Sequence, residues 1–329
     1  MSLSNNITAP LLLIFALLIV ILFQTVFFTS PDVLYAESGE PESGGDYIVF
    51  NNVKYNADRF FMFAIVSNLC AFLLPAVFYV KLKGIGAAAL KLDRPRPKYL
   101  FLSVYAFLVL ISGSVLINSL IFYIGGTDAG HESVLPLIIS AGGNPVYDVG
   151  IIISFIALPA LCEEFFFRSV LSAEYEKYGA TVAVFMTGTA FAASHFSIRF
   201  FPAYFFAAVI LYILIKITNS VLYAVAAHAG YNFFNIYLWG RLAGVLNFEQ
   251  NRFIFTFINA IVFIVFLLLL LNSVEIIYYD KGYRNEPSPP YADLPEGQNR
   301  PMLITRFFKS FFSPTFIIAA AIFFVYVNI

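Results

Sequence analysis

Residues 149–171 read VGIIISFIALPALCEEFFFRSVL, an apolar run long enough to cross a bilayer at 1.5 Å of rise per residue, with Glu163, Glu164 and Arg168 set inside it. Each such charge costs roughly 2.5–3.5 kcal/mol at the centre of a membrane helix, so the three burden the segment by up to about 10 kcal/mol before any pairing. An ionisable cluster of that cost within a membrane span marks a functional site by default. This one stretch therefore decides the fold class and shows where chemistry is to be sought.

Composition agrees with it. Of 329 residues, 60% are apolar, 18% aromatic and only 12% charged, far from the quarter charged of a soluble domain. The chain reads as a polytopic membrane protein. A net charge of -1, without a basic tail or Gly-rich phosphate loop, offers nothing to nucleic acid or nucleotide. Cys70 and Cys162 lie far apart in apolar runs and indicate neither a disulfide framework nor a Cys-type zinc site.

Apolar runs fall near residues 8–29, 60–80, 99–124, 149–172, 180–198, 202–217, 219–239, 253–279 and 311–329. The expectation is an all-α transmembrane bundle of about nine helices, or eight. Only Arg199, Pro202 and Thr218-Asn219 punctuate the region of the fifth to seventh. The first run exceeds a signal-peptide core and no Lys or Arg precedes it, so it is expected to be a retained anchor.

Lys81, Lys83, Lys91, Arg94, Arg96 and Lys98 crowd one loop, whereas Asp32, Glu37, Glu40, Glu42, Asp46 and Asp58 crowd the one before it. By the positive-inside rule the basic loop is cytoplasmic. Counting through nine spans also puts Lys281, Arg284, Arg300, Arg306 and Lys309 inside, with the N-terminus in and the C-terminus out. A multi-pass plasma-membrane protein is the simplest expectation. The loops at 37–52 and 285–301 read as solvated and mobile. The expected organisation is three N-terminal helices with an acidic outer loop over 1–147, a core of four helices over 148–240, and two C-terminal helices with a Pro-rich loop over 241–329.

Three polar constellations lie inside apolar runs: Glu163, Glu164 and Arg168; Phe191 with His195; His228 with Asn232. His131, in a polar loop, reads as merely exposed. Glu164 and Arg168 are i and i+4 and can pair on one helix face, which leaves Glu163 as the free carboxylate. His228 and Asn232 likewise share a face. With the topology above, all these groups meet between the cytoplasmic half and the middle of the bilayer. A carboxylate, two imidazoles and an amide in a low-dielectric pocket can polarise a water, take its proton and bind an oxyanion. These are the parts of amide hydrolysis. The Phe-rich stretches, Phe165–Phe167 included, read as packing or lipid-facing surface.

Glu-Glu-x-x-x-Arg (163–168), Phe-x-x-x-His (191–195) and His-x-x-x-Asn (228–232), in that order on successive helices, resemble the CPBP family of intramembrane proteases. That family comprises the type II CAAX prenyl endopeptidases and the bacteriocin-processing (Abi) proteins, and the likeness covers about residues 148–240. The resemblance implies that Glu163 activates the attacking water with help from His195. It implies that His228 and Asn232 stabilise the oxyanion, and that Glu164 and Arg168 orient the helix. The usual metalloprotease classing implies a divalent ion, zinc, with Glu163, His195 and His228 as three ligands and an open fourth position. The residues equally allow a glutamate acting without metal, since no His-Glu-x-x-His pair is present. A peptide or membrane protein is the implied substrate, in contact with membrane lipid: a prenylated CAAX tail, a leader or a signalling peptide. The competing readings are a non-catalytic scaffold or immunity protein on the same fold, and a proton-relay transporter, for which inverted repeats are missing.

Overall fold

The computed structural model describes residues 5–29, 47–50, 53–125, 138–140, 145–245, 250–283 and 300–327. His131 and most of both polar loops lie outside them. Among the described residues ten helices make up the bundle. They are α1 (Asn5–Thr29), α2 (Ala57–Lys83), α3 (Leu100–Gly125), α4 (Asp148–Tyr178), α5 (Ala180–Ala193) and α6 (Phe201–Thr218). They continue with α7 (Val221–Phe233, running on through Trp239–Val245), α8 (Arg252–Tyr283), α9 (Arg300–Phe311) and α10 (Pro314–Val327).

The all-α bundle is as expected, but the span count is lower than nine. Among the described residues six helices are long and apolar enough to cross a membrane, or seven if α9 and α10, bent by 54° at their junction, count as one. Helix α5 stops after 14 residues. Helix α7 loses its regular pattern to a π turn at Phe234–Leu238.

Two other π turns have a readable cause. In α2 the π turn Leu69–Leu73 precedes Pro75, and in α4 the π turn Ile152–Ala157 precedes Pro159. A proline inside a helix removes one N–H and crowds the carbonyl four residues back. Widening the preceding turn gives the ring room without breaking the helix, as the Leu158 N–H shows by reaching Ile153 O.

The core falls into two main clusters. One joins α1, α2, α4, α5 and α10 around Phe166, Phe167, Met186 and Phe191. The other joins α3, α6, α7 and α8 around Leu110, Leu211 and Ala224. Helix α6 contributes to both and so ties the halves. Gly113 of α3 permits a close crossing, since a Cβ there would lie 2.4 Å from the Phe206 ring and 2.9 Å from Phe263. Phe166 and Phe167 are fully buried against Phe72, which makes them packing residues as expected.

Each end of the bundle has its own closure. At one, β1 (Tyr47–Phe50) pairs antiparallel with β2 (Val53–Asn56) and with β3 (Ile138–Ser140), in register Val49 opposite Lys54 and Ile138. This sheet lies in segments read from sequence as loops. Short alternating runs such as Tyr-Ile-Val-Phe carry too little pattern to stand out beside membrane helices. At the other end the basic loop is stitched to the α6–α7 junction: Val221 N–H donates to Lys91 O at 2.8 Å and Ser220 Oγ to Asp93 O at 2.6 Å. Lys91 and Asn219 both take left-handed backbone there, φ 54° and 53°. Lys91 and Lys216 converge on Glu176, which also accepts from Tyr212 at 2.9 Å. Burial pulls the Lys91 ammonium below its ordinary pKa, and the Glu176 carboxylate opposes that pull.

Candidate active site

Glu163 and Glu164 end the short α-helical segment Leu158–Glu164 of α4, and the π turn Phe165–Leu171 that follows carries Arg168. Glu164 and Arg168 are buried and paired, Arg168 Nε lying 3.2 Å from Glu164 Oε2, as the i, i+4 spacing predicted. The second oxygen of Glu164 does what spacing along one helix could not foretell. It accepts from His228 Nδ1 of α7 at 2.9 Å. One carboxylate therefore fixes a guanidinium on its own helix and an imidazole on another. Arg168 also lies over the Phe191 ring, 4.2 Å from its centroid, a desolvated cation–π contact on the order of 2 kcal/mol.

His195 stands elsewhere than expected. The sequence put it well inside a helix running to residue 198, but α5 ends at Ala193 and the chain turns through Ser194–Phe200. Phe196 in left-handed backbone, φ 49°, closes the helix, and Ser197 Oγ receives the Phe200 N–H just before α6. The expected partnership with Phe191 survives in two forms: ring centroids 4.7 Å apart, and His195 Nδ1 2.8 Å from Phe191 O. A carbonyl oxygen only accepts, so Nδ1 carries the proton and the neutral ring keeps its lone pair on Nε2. The same logic leaves Nε2 of His228 as the nitrogen not held by Glu164.

His195, His228 and Asn232 line one cavity of about 160 Å³, together with Phe191, Tyr204, Tyr231 and Asn235. It is large enough for water and has polar partners to hold it. Glu163 is not part of that lining. It sits beside it, within electrostatic reach of His228, Glu164, Arg168 and Tyr204, and its Oε2 is buried with no hydrogen-bond partner among the described residues. The six expected site residues thus gather in one region, Glu164 and Arg168 supporting the others.

Sequence reasoning missed three polar cavity residues, Asn235, Tyr231 and Tyr204, and the apolar Leu110, Ala207 and Leu211. Asn235 was within reach, since 228, 232 and 235 are i, i+4 and i+7 on one face of α7. Tyr231 lies between His228 and Asn232 in sequence and forms part of the same wall, its carbonyl accepting from Asn235 Nδ2 at 3.1 Å. Tyr204 arrives from α6 across the turn, and no local spacing points to it.

Among the described residues no group of three His, Cys, Asp or Glu converges closely enough to hold a metal ion. Glu163, His195 and His228 as arranged do not fit as a three-ligand set.

A carboxylate with one buried, unpartnered oxygen thus stands beside two oriented imidazoles and an amide at a cavity that can hold water, an arrangement able to polarise it. Residues 145–234 match the family model described as type II CAAX prenyl endopeptidase Rce1-like, so over that segment the chain is similar to those membrane proteases. No curated protein and no solved structure matches the chain.

Proposed function

We propose that this protein is an endopeptidase that cuts a peptide bond in a membrane-associated substrate, a CAAX-type prenylated tail or a leader or signalling peptide, with Glu163 as general base. The observation that carries this reading is the Glu164 bridge. It holds His228 by Nδ1 and leaves Nε2 free of Glu164, with Glu163, whose Oε2 has no hydrogen-bond partner among the described residues, within electrostatic reach of the ring, in the segment that matches the family model.

The reaction follows from these atoms. Water in the cavity gives its proton to Glu163 as its oxygen attacks the scissile carbonyl carbon, and the His195 Nε2 lone pair accepts the second water proton in a hydrogen bond that aims the attack. Negative charge then moves to the carbonyl oxygen. Asn232 donates to it from Nδ2, and His228, when doubly protonated, donates from Nε2 while Nδ1 stays on Glu164. Glu163 returns its proton to the leaving nitrogen as the C–N bond breaks. In this reading the basic end faces the cytoplasm, the N-terminus inside and the C-terminus outside, in the plasma membrane, and substrate enters from the cytoplasmic leaflet.

The test is cleavage of a quenched prenyl-peptide and a peptide library by protein reconstituted in liposomes. Glu163→Gln and His195→Ala are expected to abolish cleavage, and Asn232→Ala to lower kcat by roughly 10²–10³. Retained activity at saturating chelator is expected, and loss restored by zinc would overturn the metal-free course. Folded wild type that cuts nothing would replace the protease reading by the scaffold reading.

A further inference from the structure

The His195 ring is held by little backbone. It lies past the last regular turn of α5, where His195 N–H reaches only Ala192 O at 3.3 Å and the next residue is already in left-handed backbone. One hydrogen bond, from Nδ1 to Phe191 O, would by itself let the imidazole rotate about its side-chain bonds. The opposing constraint comes from α6. The Tyr204 ring lies against His195 with centroids 3.8 Å apart and planes within 24° of parallel. Tyr204 is itself anchored, its N–H on Phe200 O at 3.0 Å in the first turn of α6. Phe191 touches His195 more obliquely, at 55°, so that the imidazole is clamped between an edge from its own helix and a flat face from the next.

From this we infer that Tyr204 is the positioning residue of the site: its ring face, not its hydroxyl, fixes the His195 imidazole with Nδ1–H on Phe191 O and Nε2 toward the cavity. The inference deepens the protease reading and rests on it for the catalytic consequence, while the clamp itself can be seen without turnover. An imidazole free to swing exchanges the nitrogen it offers and loses its aim, and a misplacement on the order of 1 Å costs up to about a hundredfold in rate.

The experiment compares wild type, Tyr204→Phe and Tyr204→Leu in liposomes, with Tyr204→Met as a second non-planar variant if the leucine variant fails to fold. The chain has three histidines. Magic-angle-spinning ¹⁵N spectra of histidine-labelled protein, assigned with His131→Gln and His228→Gln, therefore report the His195 tautomer directly. Wild type and Tyr204→Phe are expected to show one tautomer with protonated Nδ1, and Tyr204→Leu a mixture. Cleavage is expected to follow: kcat falls roughly ten- to a hundredfold in Tyr204→Leu, changing more than KM, and phenylalanine restores most of it. A single unchanged tautomer in Tyr204→Leu would overturn the inference, and so would a Tyr204→Phe defect as large as that of leucine, which would move the role to the hydroxyl. If wild type cleaves no peptide, the protease reading fails, and the spectra still decide whether Tyr204 holds His195.

Discussion

Replacing Glu164 by glutamine keeps the shape of the side chain and an oxygen for His228 but removes the counter-charge of Arg168. Both Arg168 and Glu164 are almost wholly buried, and Nη1 and Nη2 of Arg168 have no hydrogen-bond partner among the described residues. The arginine would then rest on the Phe191 face and the more distant Glu163. Breaking a buried pair from one side costs about 3–5 kcal/mol, because the charge left behind is uncompensated. At about 2 °C per kcal/mol for a large chain, Tm should fall by roughly 6–10 °C. Arg168→Met alone should cost a similar amount by leaving Glu164 paired only to His228. The double variant removes both charges and should recover much of the loss, with a coupling energy of about 2–4 kcal/mol. The assay is thermal unfolding of detergent-solubilised protein for the full double-mutant cycle, at one scan rate and lipid content. A double variant as unstable as the sum of the single ones would refute the argument that the pair is held by mutual compensation. Cleavage should fall in Glu164→Gln as well, since a neutral amide holds the His228 ring less firmly than a carboxylate.

Three further outcomes follow from the same structure. Glu163→Gln should abolish cleavage, a loss of about 10²–10⁴, and Glu163→Met should abolish it too and yet raise Tm, because it removes a buried carboxylate oxygen whose lack of a partner costs about 1–3 kcal/mol; a lower Tm in Glu163→Met would count against the unpartnered state of that oxygen. Glu176→Gln strands two buried lysines at once and should destabilise more than Lys216→Met, which leaves Lys91 on Glu176; equal melting points in the two variants would count against the shared-carboxylate clamp. Gly113→Ala should destabilise by about 1–3 kcal/mol through overpacking against Phe206 and Phe263, and a neutral effect on thermal unfolding would show that the helices can part there at no cost.

The helices were legible because their signal is length and hydropathy, and each apolar run found in the sequence corresponds to a helix. What escaped was how far each helix continues. His195 was placed inside α5 because Ser194 to Ile198 contains no Gly or Pro, while the turn is made by Phe196 in left-handed backbone, a choice dictated by packing. The Glu164–Arg168 pair could be read because i, i+4 contacts are local. The Glu164–His228 and Tyr204–His195 contacts could not, since each joins helices whose rotation about their axes is set by the whole core. The strands escaped because few residues of modest alternation compete with long apolar runs. The family resemblance rested on motifs that are discontinuous in sequence and neighbours only in space.

The α-helical segment Leu158–Glu164 lies between two π turns, Ile152–Ala157 and Phe165–Leu171. A π turn holds one residue more than the helix around it requires, so the glutamates are indexed to their immediate neighbours and not to the ends of the span. Deleting one residue from Ile152–Ala157 would turn that π turn into an ordinary one and rotate everything on one side by about 100° relative to the other. Either the glutamates would leave His228, or the first turns of α4 would present a new face to the helices and lipid around them. The spare residue thus works as an angular spacer, letting the outer part of α4 follow its surroundings while the carboxylates keep a bearing of their own.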